Sequence, residues 1–286
     1  MHKMPVFEFQ CGRFPLVVGK RTLIMGILNV TPDSFSDGGL FFKKKEAVSQ
    51  GKALEAAGAD IIDVGGESSR PFSQPVPAEE EMERVVPVVE ELAKSLSVPI
   101  SIDTSKAEVA RRAVAAGASM VNDIGALRLD SAMARVVADA GVAIVLMHMK
   151  GMPRDMQADP YYEDVVAEVQ TFLADALKKA QQAGIDRAKI VIDPGIGFGK
   201  TVTHNLLLIK RLSVLYTLKV PVLIGPSRKS FITEILGAGN ERREVGTQAV
   251  VAAAALQGVH IVRVHDVKRT RETLQLIDAI RDAGRQ

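Results

Sequence analysis

Tryptophan is missing from this chain, cysteine occurs once, and aromatic residues make up only 5% of it. A lone Cys11 excludes an internal disulfide and a cysteine-based metal cage. With so few aromatics the core must be aliphatic, as the Val, Ile and Leu layers of parallel barrels are. Neither sign of charge is in excess: 36 Lys and Arg face 34 Asp and Glu, leaving +2. That balance is no nucleic-acid or membrane footprint, although basic side chains can still gather around a small anion. No apolar run reaches the roughly 20 residues that cross a bilayer. The start, Met1-His2-Lys3-Met4-Pro5, lacks the apolar stretch of a secretory signal, so a cytoplasmic protein is expected. A length of 286 residues without a linker or composition break suits one domain over 1–286.

What the chain does have is a polar residue at the end of nearly every short apolar run. Leu23 to Leu28 closes on Asn29, Ile61-Ile62 on Asp63, and Ile100 to Ile102 on Asp103. Met120-Val121 closes on Asn122-Asp123, Ala143 to Met147 on His148, and Ile190 to Ile192 on Asp193. Val222 to Gly225 leads to Ser227-Arg228-Lys229, and Ile261 to Val264 ends at His265. Helix-length amphipathic stretches separate these eight runs, the alternation of a parallel sheet. In a closed barrel all strand C-termini meet at one rim, so the polar residues would converge there. The predicted fold is an α/β (β/α)8 TIM barrel, with an open doubly wound sheet as its competitor. Phe7 to Gln10 and Leu16 to Val18 predict a short β-hairpin ahead of the repeats, placed to plug the barrel floor.

Helix ends carry the expected punctuation. Gly58, Gly117, Gly141, Gly184 and Gly258 each follow a helical stretch, where glycine supplies the left-handed turn back to the sheet. Ser105 and Asp164 sit at N-cap positions. Three Gly- and Pro-rich loops, 31–42, 65–77 and 150–162, follow strand C-termini, on the face where barrel enzymes build their sites. His148 and His204 receive no metal role, because no HxH or HExxH spacing is present. Gly195 to Gly199 matches neither nucleotide-binding fingerprint. A single Asp at a strand end is more often a turn or cap residue than a ligand, so the spacing alone assigns no roles.

The segment Gly26-Ile27-Leu28-Asn29-Val30-Thr31-Pro32-Asp33-Ser34-Phe35-Ser36-Asp37-Gly38-Gly39 resembles the first signature of the dihydropteroate synthases. Asp63-Val64-Gly65-Gly66-Glu67-Ser68-Ser69-Arg70-Pro71 resembles the second. Further matches follow in the family's order at Ser101 to Thr104, Val121 to Asp123, Asp193 to Lys200, Ser227 to Ser230 and Arg263 to Asp266. Two departures occur: Ser69 where Thr is usual, which keeps the hydroxyl, and Phe72 where Gly is common, which bears on the loop's shape.

The resemblance implies a transferase of folate biosynthesis and a sulfonamide target. Such an enzyme joins a dihydropterin, carried as its hydroxymethyl diphosphate, to p-aminobenzoate. It implies a pterin pocket of Asp103, Asn122, Asp193 and Lys229, in which a carboxylate accepts from ring N–H groups and an amide reads the mixed edge. The p-aminobenzoate site falls by the same resemblance to Phe35, Ser69, Arg70, Pro71, Phe198 and Ser230. Diphosphate falls to Asn29, Ser69, Arg70, Arg263 and His265, with Mg2+ on Asn29 and Asp37. Asp37, Arg70, Asp103, Lys229, Arg263 and His265 form the implied catalytic set. The small molecules are the expected partners, without nucleic acid or membrane, in a homodimer. Ala252 to Ala255 suits either a barrel wall or a dimer contact. A pterin-dependent corrinoid methyltransferase would share the Asp and Asn pocket without the first-loop signature and Ser-Arg-Lys-Ser. A non-catalytic pterin-binding paralogue would have lost loop or diphosphate residues.

Overall fold

The structure, a computed structural model, describes residues 5–31, 40–68, 74–152 and 155–283, with backbone alone at 40–43 and 282. An antiparallel hairpin, β1 (Phe7–Cys11) with β2 (Phe14–Val18), comes first. Eight parallel strands follow: β3 (Leu23–Asn29), β4 (Ile61–Gly65), β5 (Ile100–Asp103), β6 (Met120–Asp123), β7 (Ala143–Met147), β8 (Ile190–Asp193), β9 (Leu223–Ile224) and β10 (Ile261–Val264). Their order runs from β8 back through β3 to β10 and β9. The bridge from Ile192 to Val222 joins the two edges, so the sheet closes into the predicted barrel. β9 is short because Pro221 and Pro226 bracket it, and proline brings no N–H to a ladder.

Strand alternation sorts the side chains. On β4, Ile62 and Val64 pack outward among helix residues, while Ile61 joins the barrel interior. The interior floor is a separate apolar cluster in which Leu23, Met25, Met120, Val145 and Val191 meet Phe9, Cys11 and Val18 of the hairpin. The hairpin therefore plugs the N-terminal end. Cys11 is fully buried there, with Sγ 3.4 Å from the Ser119 carbonyl, and burial pushes its thiol up to about 12.

The helical wall consists of α1 (Leu40–Ala56), α2 (Ala78–Ala93), α3 (Ala107–Ala115), α4 (Met133–Ala140), α5 (Val165–Gln182), α6 (Val202–Lys210), α8 (Asn240–Leu256) and α9 (Val267–Asp282). A short additional helix, α7 (Ser230–Leu236), sits on the connection after β9. The five glycines expected to end helices all have positive φ. Asp164 caps α5 through the amides of Val166 and Ala167. Ser105 does not cap α3: the Thr104 hydroxyl accepts from Lys106 N and the Asp130 carboxylate from Ala107 N. Asp130 lies 23 residues downstream, out of reach of a local pattern. The amphipathic stretch between β8 and β9 divides, with α6 capped by Thr201 and a 3-10 segment over Leu212–Leu218. Among the described residues no helix is long and apolar enough to cross a membrane.

Candidate active site at the C-terminal mouth of the barrel

Inward positions at the strand ends carry Asn29, Asp63, Asp103, Asn122, Asp193 and Arg263, all at the mouth opposite the hairpin. A cavity of about 750 Å3 opens above them. Asn29, Asp103, Phe198, Lys229, Ser230, Arg263 and His265 line it. Asn122 and Asp193, each 4% exposed, sit at the strand ends beneath it. The remaining sequence-derived candidates, Phe35, Asp37, Ser69, Arg70 and Pro71, lie outside the described residues.

Arg263 ties the floor together. Its Nε donates to Asp63 Oδ2 at 2.5 Å and its Nη2 to Asp103 Oδ2 at 2.6 Å. Burial alone would lower the guanidinium, but Asp63 and Asp103 raise it well above its ordinary range, so it remains charged. Asn122 Nδ2 donates to the same Asp63 oxygen at 3.0 Å, which orients the amide. Burial raises the Asp103 carboxyl, Arg263 opposes that shift, and Asp63 adds to it. Burial also pushes Asp193 up to about 6, against the Gly195 amide, which donates to Asp193 Oδ1 at 2.7 Å, and against Lys229 and Lys200. The floor is thus acidic, desolvated and held by one arginine.

The wall above it is basic. Lys229 Nζ lies 3.9 Å above the Phe198 ring, a cation–π contact that places an ammonium against an aromatic surface inside the cavity. Ser227 Oγ sits 2.9 Å from His265 Nδ1 and accepts from His265 N at 3.3 Å, so Ser227 fixes the imidazole. Arg228 adopts positive φ and anchors this turn through its Nε to Glu244 at 2.5 Å, turning its charge away from the floor. The turn of Gly195 to Gly199 runs across β7 so closely that a Cβ on Gly195 would stand 1.9 Å from the His148 carbonyl oxygen. Those glycines serve backbone approach.

Four residues of this arrangement received no role from the sequence. Asp63 obeys the strand-end rule, but its bonds to Arg263 and Asn122 span 200 and 59 residues. Ser227 and Lys200 lie inside quoted motifs, where only the side-chain partners reveal what they hold. Glu67 lines the cavity and pairs with Lys106, which also bonds the fully buried Glu81. The signal for Glu67 was its place in the second signature.

A basic wall over an acidic floor at a barrel mouth defines an enzyme class that handles an anionic group beside a polar heterocycle. The family model for pterin binding enzymes matches residues 25–265. The chain is 47% identical over 256 residues to dihydropteroate synthase of Escherichia coli strain K12, covering 90% of each chain. It superposes with a TM-score of 0.91 on Xanthomonas albilineans dihydropteroate synthase solved with 4-aminobenzoic acid, at 46% identity, covering 97% and 99% of the two chains. For the Xanthomonas enzyme in complex with 7,8-dihydropteroate the score is 0.87 at 44% identity, over 96% and 98%. The chain belongs to the dihydropteroate synthase family.

Proposed function

We infer that this chain catalyses the dihydropteroate synthase reaction. It joins the methylene carbon of a dihydropterin hydroxymethyl diphosphate to the amino nitrogen of p-aminobenzoate and releases diphosphate. The observation that carries this reading is the gathering at one mouth of Asp103 on the cavity lining with the buried Asn122 and Asp193 at the neighbouring strand ends, Arg263 bonded to Asp103, and Lys229 and His265 on the wall above. The floor offers acceptors to the ring N–H groups of a pterin, and the wall offers positive charge to the diphosphate. Phe198 and Ser230 flank the space left for the arylamine, and Ser227 to Ser230 line it, which counts against a corrinoid methyltransferase. Solved relatives bound to p-aminobenzoate and to the product count against a non-catalytic paralogue.

The chemistry the site supports is dissociative. The C–O bond to diphosphate breaks with its electron pair on the leaving oxygen, eased by Arg263 and His265. The delocalised pterin cation is stabilised by the fixed carboxylates beneath it, an electrostatic device that is strong where water is excluded. The neutral arylamine nitrogen then forms the new C–N bond and loses one proton. Asn29, at the end of β3 on the cavity wall, would provide a neutral oxygen donor for Mg2+, and Asp37, outside the described residues, would be its second ligand. Mg2+ commonly takes few protein oxygens and completes its shell with phosphate and water, and this sparse donor set fits that habit. Bound there, it would neutralise charge on the departing diphosphate. The same proposal includes a cytoplasmic location, where these charged, soluble substrates occur, and a homodimer, which exposed Ile235, Leu236 and Val245 on α7 and α8 favour.

Turnover of the pterin diphosphate with p-aminobenzoate tests the activity. The dissociative step is tested by oxygen-18 placed in the bridging position of the pterin diphosphate, incubated with enzyme and no arylamine. Scrambling into non-bridging positions is expected, and a label that stays in place while turnover is normal contradicts the mechanism.

A further inference from the structure

Ser227 and His265 stand just beyond neighbouring strand ends, because β9 and β10 pair in parallel and both run up to the cavity mouth. Ser227 is 6% exposed, and its Oγ grips one residue twice. It accepts from His265 N at 3.3 Å and lies 2.9 Å from Nδ1 of the same residue. A hydroxyl has two lone pairs and a single hydrogen, while a backbone amide can only donate. The amide therefore takes a lone pair, and the hydroxyl hydrogen goes to the acceptor within reach among the described residues, which is Nδ1. An imidazole whose Nδ1 accepts carries its hydrogen on Nε2. Both partners are held independently of this bond. The Arg228 amide donates to Thr247 Oγ1 at 3.1 Å and its Nε to Glu244, both on α8, which fixes the turn that carries Ser227. The Asp266 carboxylate caps α9 by accepting from Arg269 N at 3.0 Å, which fixes the backbone just beyond His265.

We propose that Ser227 is a positioning residue: its hydroxyl holds His265 in the tautomer whose Nε2–H is donated to the departing diphosphate. The proposal rests on the reading that His265 meets that group. The opposite tautomer sets the Nε2 lone pair against a phosphate oxygen, which is itself an acceptor, so no hydrogen bond forms. A ring without Ser227 divides its time between the two tautomers. Donation to an oxygen gains strength as negative charge builds on it. The tautomer therefore matters most as the C–O bond breaks, and little while p-aminobenzoate binds. No proton leaves the ring in this step, since Nε2 keeps its hydrogen throughout. Arg263, two residues earlier on the same inward face, is committed through Nε and Nη2 to Asp63 and Asp103, so a donor beside it adds to a charge already fixed in place.

The test has two readouts on the full-length protein. With nitrogen-15 in the histidine rings, proton–nitrogen correlation spectra at about pH 9, where an ordinary imidazole is neutral, report which ring nitrogen holds the hydrogen. The His265 signals are those lost in His265→Gln. The parent should show a bare Nδ1 and a protonated Nε2, and Ser227→Ala a mixture of both tautomers. Ser227→Thr, which keeps the hydroxyl, should restore the parent pattern. A parent with its hydrogen on Nδ1 overturns the proposal, whether or not the variants fold. The second readout is steady-state turnover. Ser227→Ala should lower kcat about tenfold, the scale of one weakened hydrogen bond to a charged group, with the p-aminobenzoate KM within about twofold of the parent. In the His265→Gln background the same change should cost less than about twofold, because an amide donor has no tautomer to set. A cost of about tenfold there as well means that Ser227 acts elsewhere, and an unchanged kcat in Ser227→Ala gives it no part; either result overturns the proposal. His265→Ala separates the two layers: if it turns over like the parent, the diphosphate reading of His265 fails, whatever tautomer Ser227 sets.

Discussion

Asp63 shows what one residue does when two functional groups depend on it. Its Oδ2 receives both Arg263 Nε and Asn122 Nδ2, while its Oδ1 is fully buried and finds no partner among the described residues. Asn at this position can keep an oxygen where Oδ2 accepts both donors, but it removes the negative charge that holds the Arg263 guanidinium and buries an NH2 where Oδ1 has no partner. Breaking a buried charged pair from one side costs about 3–5 kcal/mol. Asp63→Asn should therefore lower unfolding free energy in urea by about 3 kcal/mol. It should also depress kcat at saturating substrates, because Arg263 loses the charge that holds it. Asp63→Asn with parental stability and kcat would contradict the role given to this carboxylate.

The hairpin and the strand-end turns illustrate how elements divide labour along the barrel axis. β1 and β2 contribute Phe9, Cys11 and Val18 to the floor cluster, at the end away from Asp193 and Arg263. Truncating a buried phenylalanine costs about 3–5 kcal/mol through lost burial and the cavity it leaves. Phe9→Ala should show that loss in thermal or urea unfolding, while pterin affinity of the folded protein stays within about twofold of the parent. A parallel collapse of affinity would mean that the plug reaches the site. α7 works at the opposite end. Arg228, with positive φ and its bond to Glu244 of α8, sets the direction in which Lys229 and Ser230 leave β9.

At the scale of the whole molecule, the acidic floor opposes folding for the sake of binding. Asp193 carries a folded value near 6 against an ordinary carboxylate value of 3.8, raised by burial. The native chain therefore binds more protons than the unfolded chain between those limits, and this contribution to stability falls as pH rises through them. About two units correspond to roughly 3 kcal/mol in the unliganded protein. Asp193→Asn should unfold later than the parent at pH 7 by an amount of that order, and the gain should vanish near pH 4. Melting curves of the two proteins at both values decide this. A gain of the same size at both would show that charge burial is not its cause. On the proposed reading, ligand binding would offset the penalty, because the pterin's donors would pair with the buried oxygens.

Much of the architecture was legible without coordinates because it rests on local periodicity. Apolar runs of strand length alternate with amphipathic helices, glycine closes the helices, and a polar residue ends each strand. A parallel barrel obliges those ends to share one mouth. The residues gathered on the cavity lining, from Asn29 and Asp103 to Lys229, Ser230, Arg263 and His265, were legible for the same reason, helped by the family signatures that begin at Gly26 and Asp63. Capping by Asp130 where Ser105 was expected, the fork of Arg263 between Asp63 and Asp103, and the contact of Lys200 with His148 were not legible. Each joins residues 23 to 200 positions apart, and no periodicity encodes which distant side chain arrives within 3 Å. Local sequence determined the strands, the helices and the types of residue at the mouth. Closure through the bridge from Ile192 to Val222, and the desolvation it imposes on Asp103, Asp193 and Lys200, came only with the tertiary structure, because the charge a group carries depends on what surrounds it.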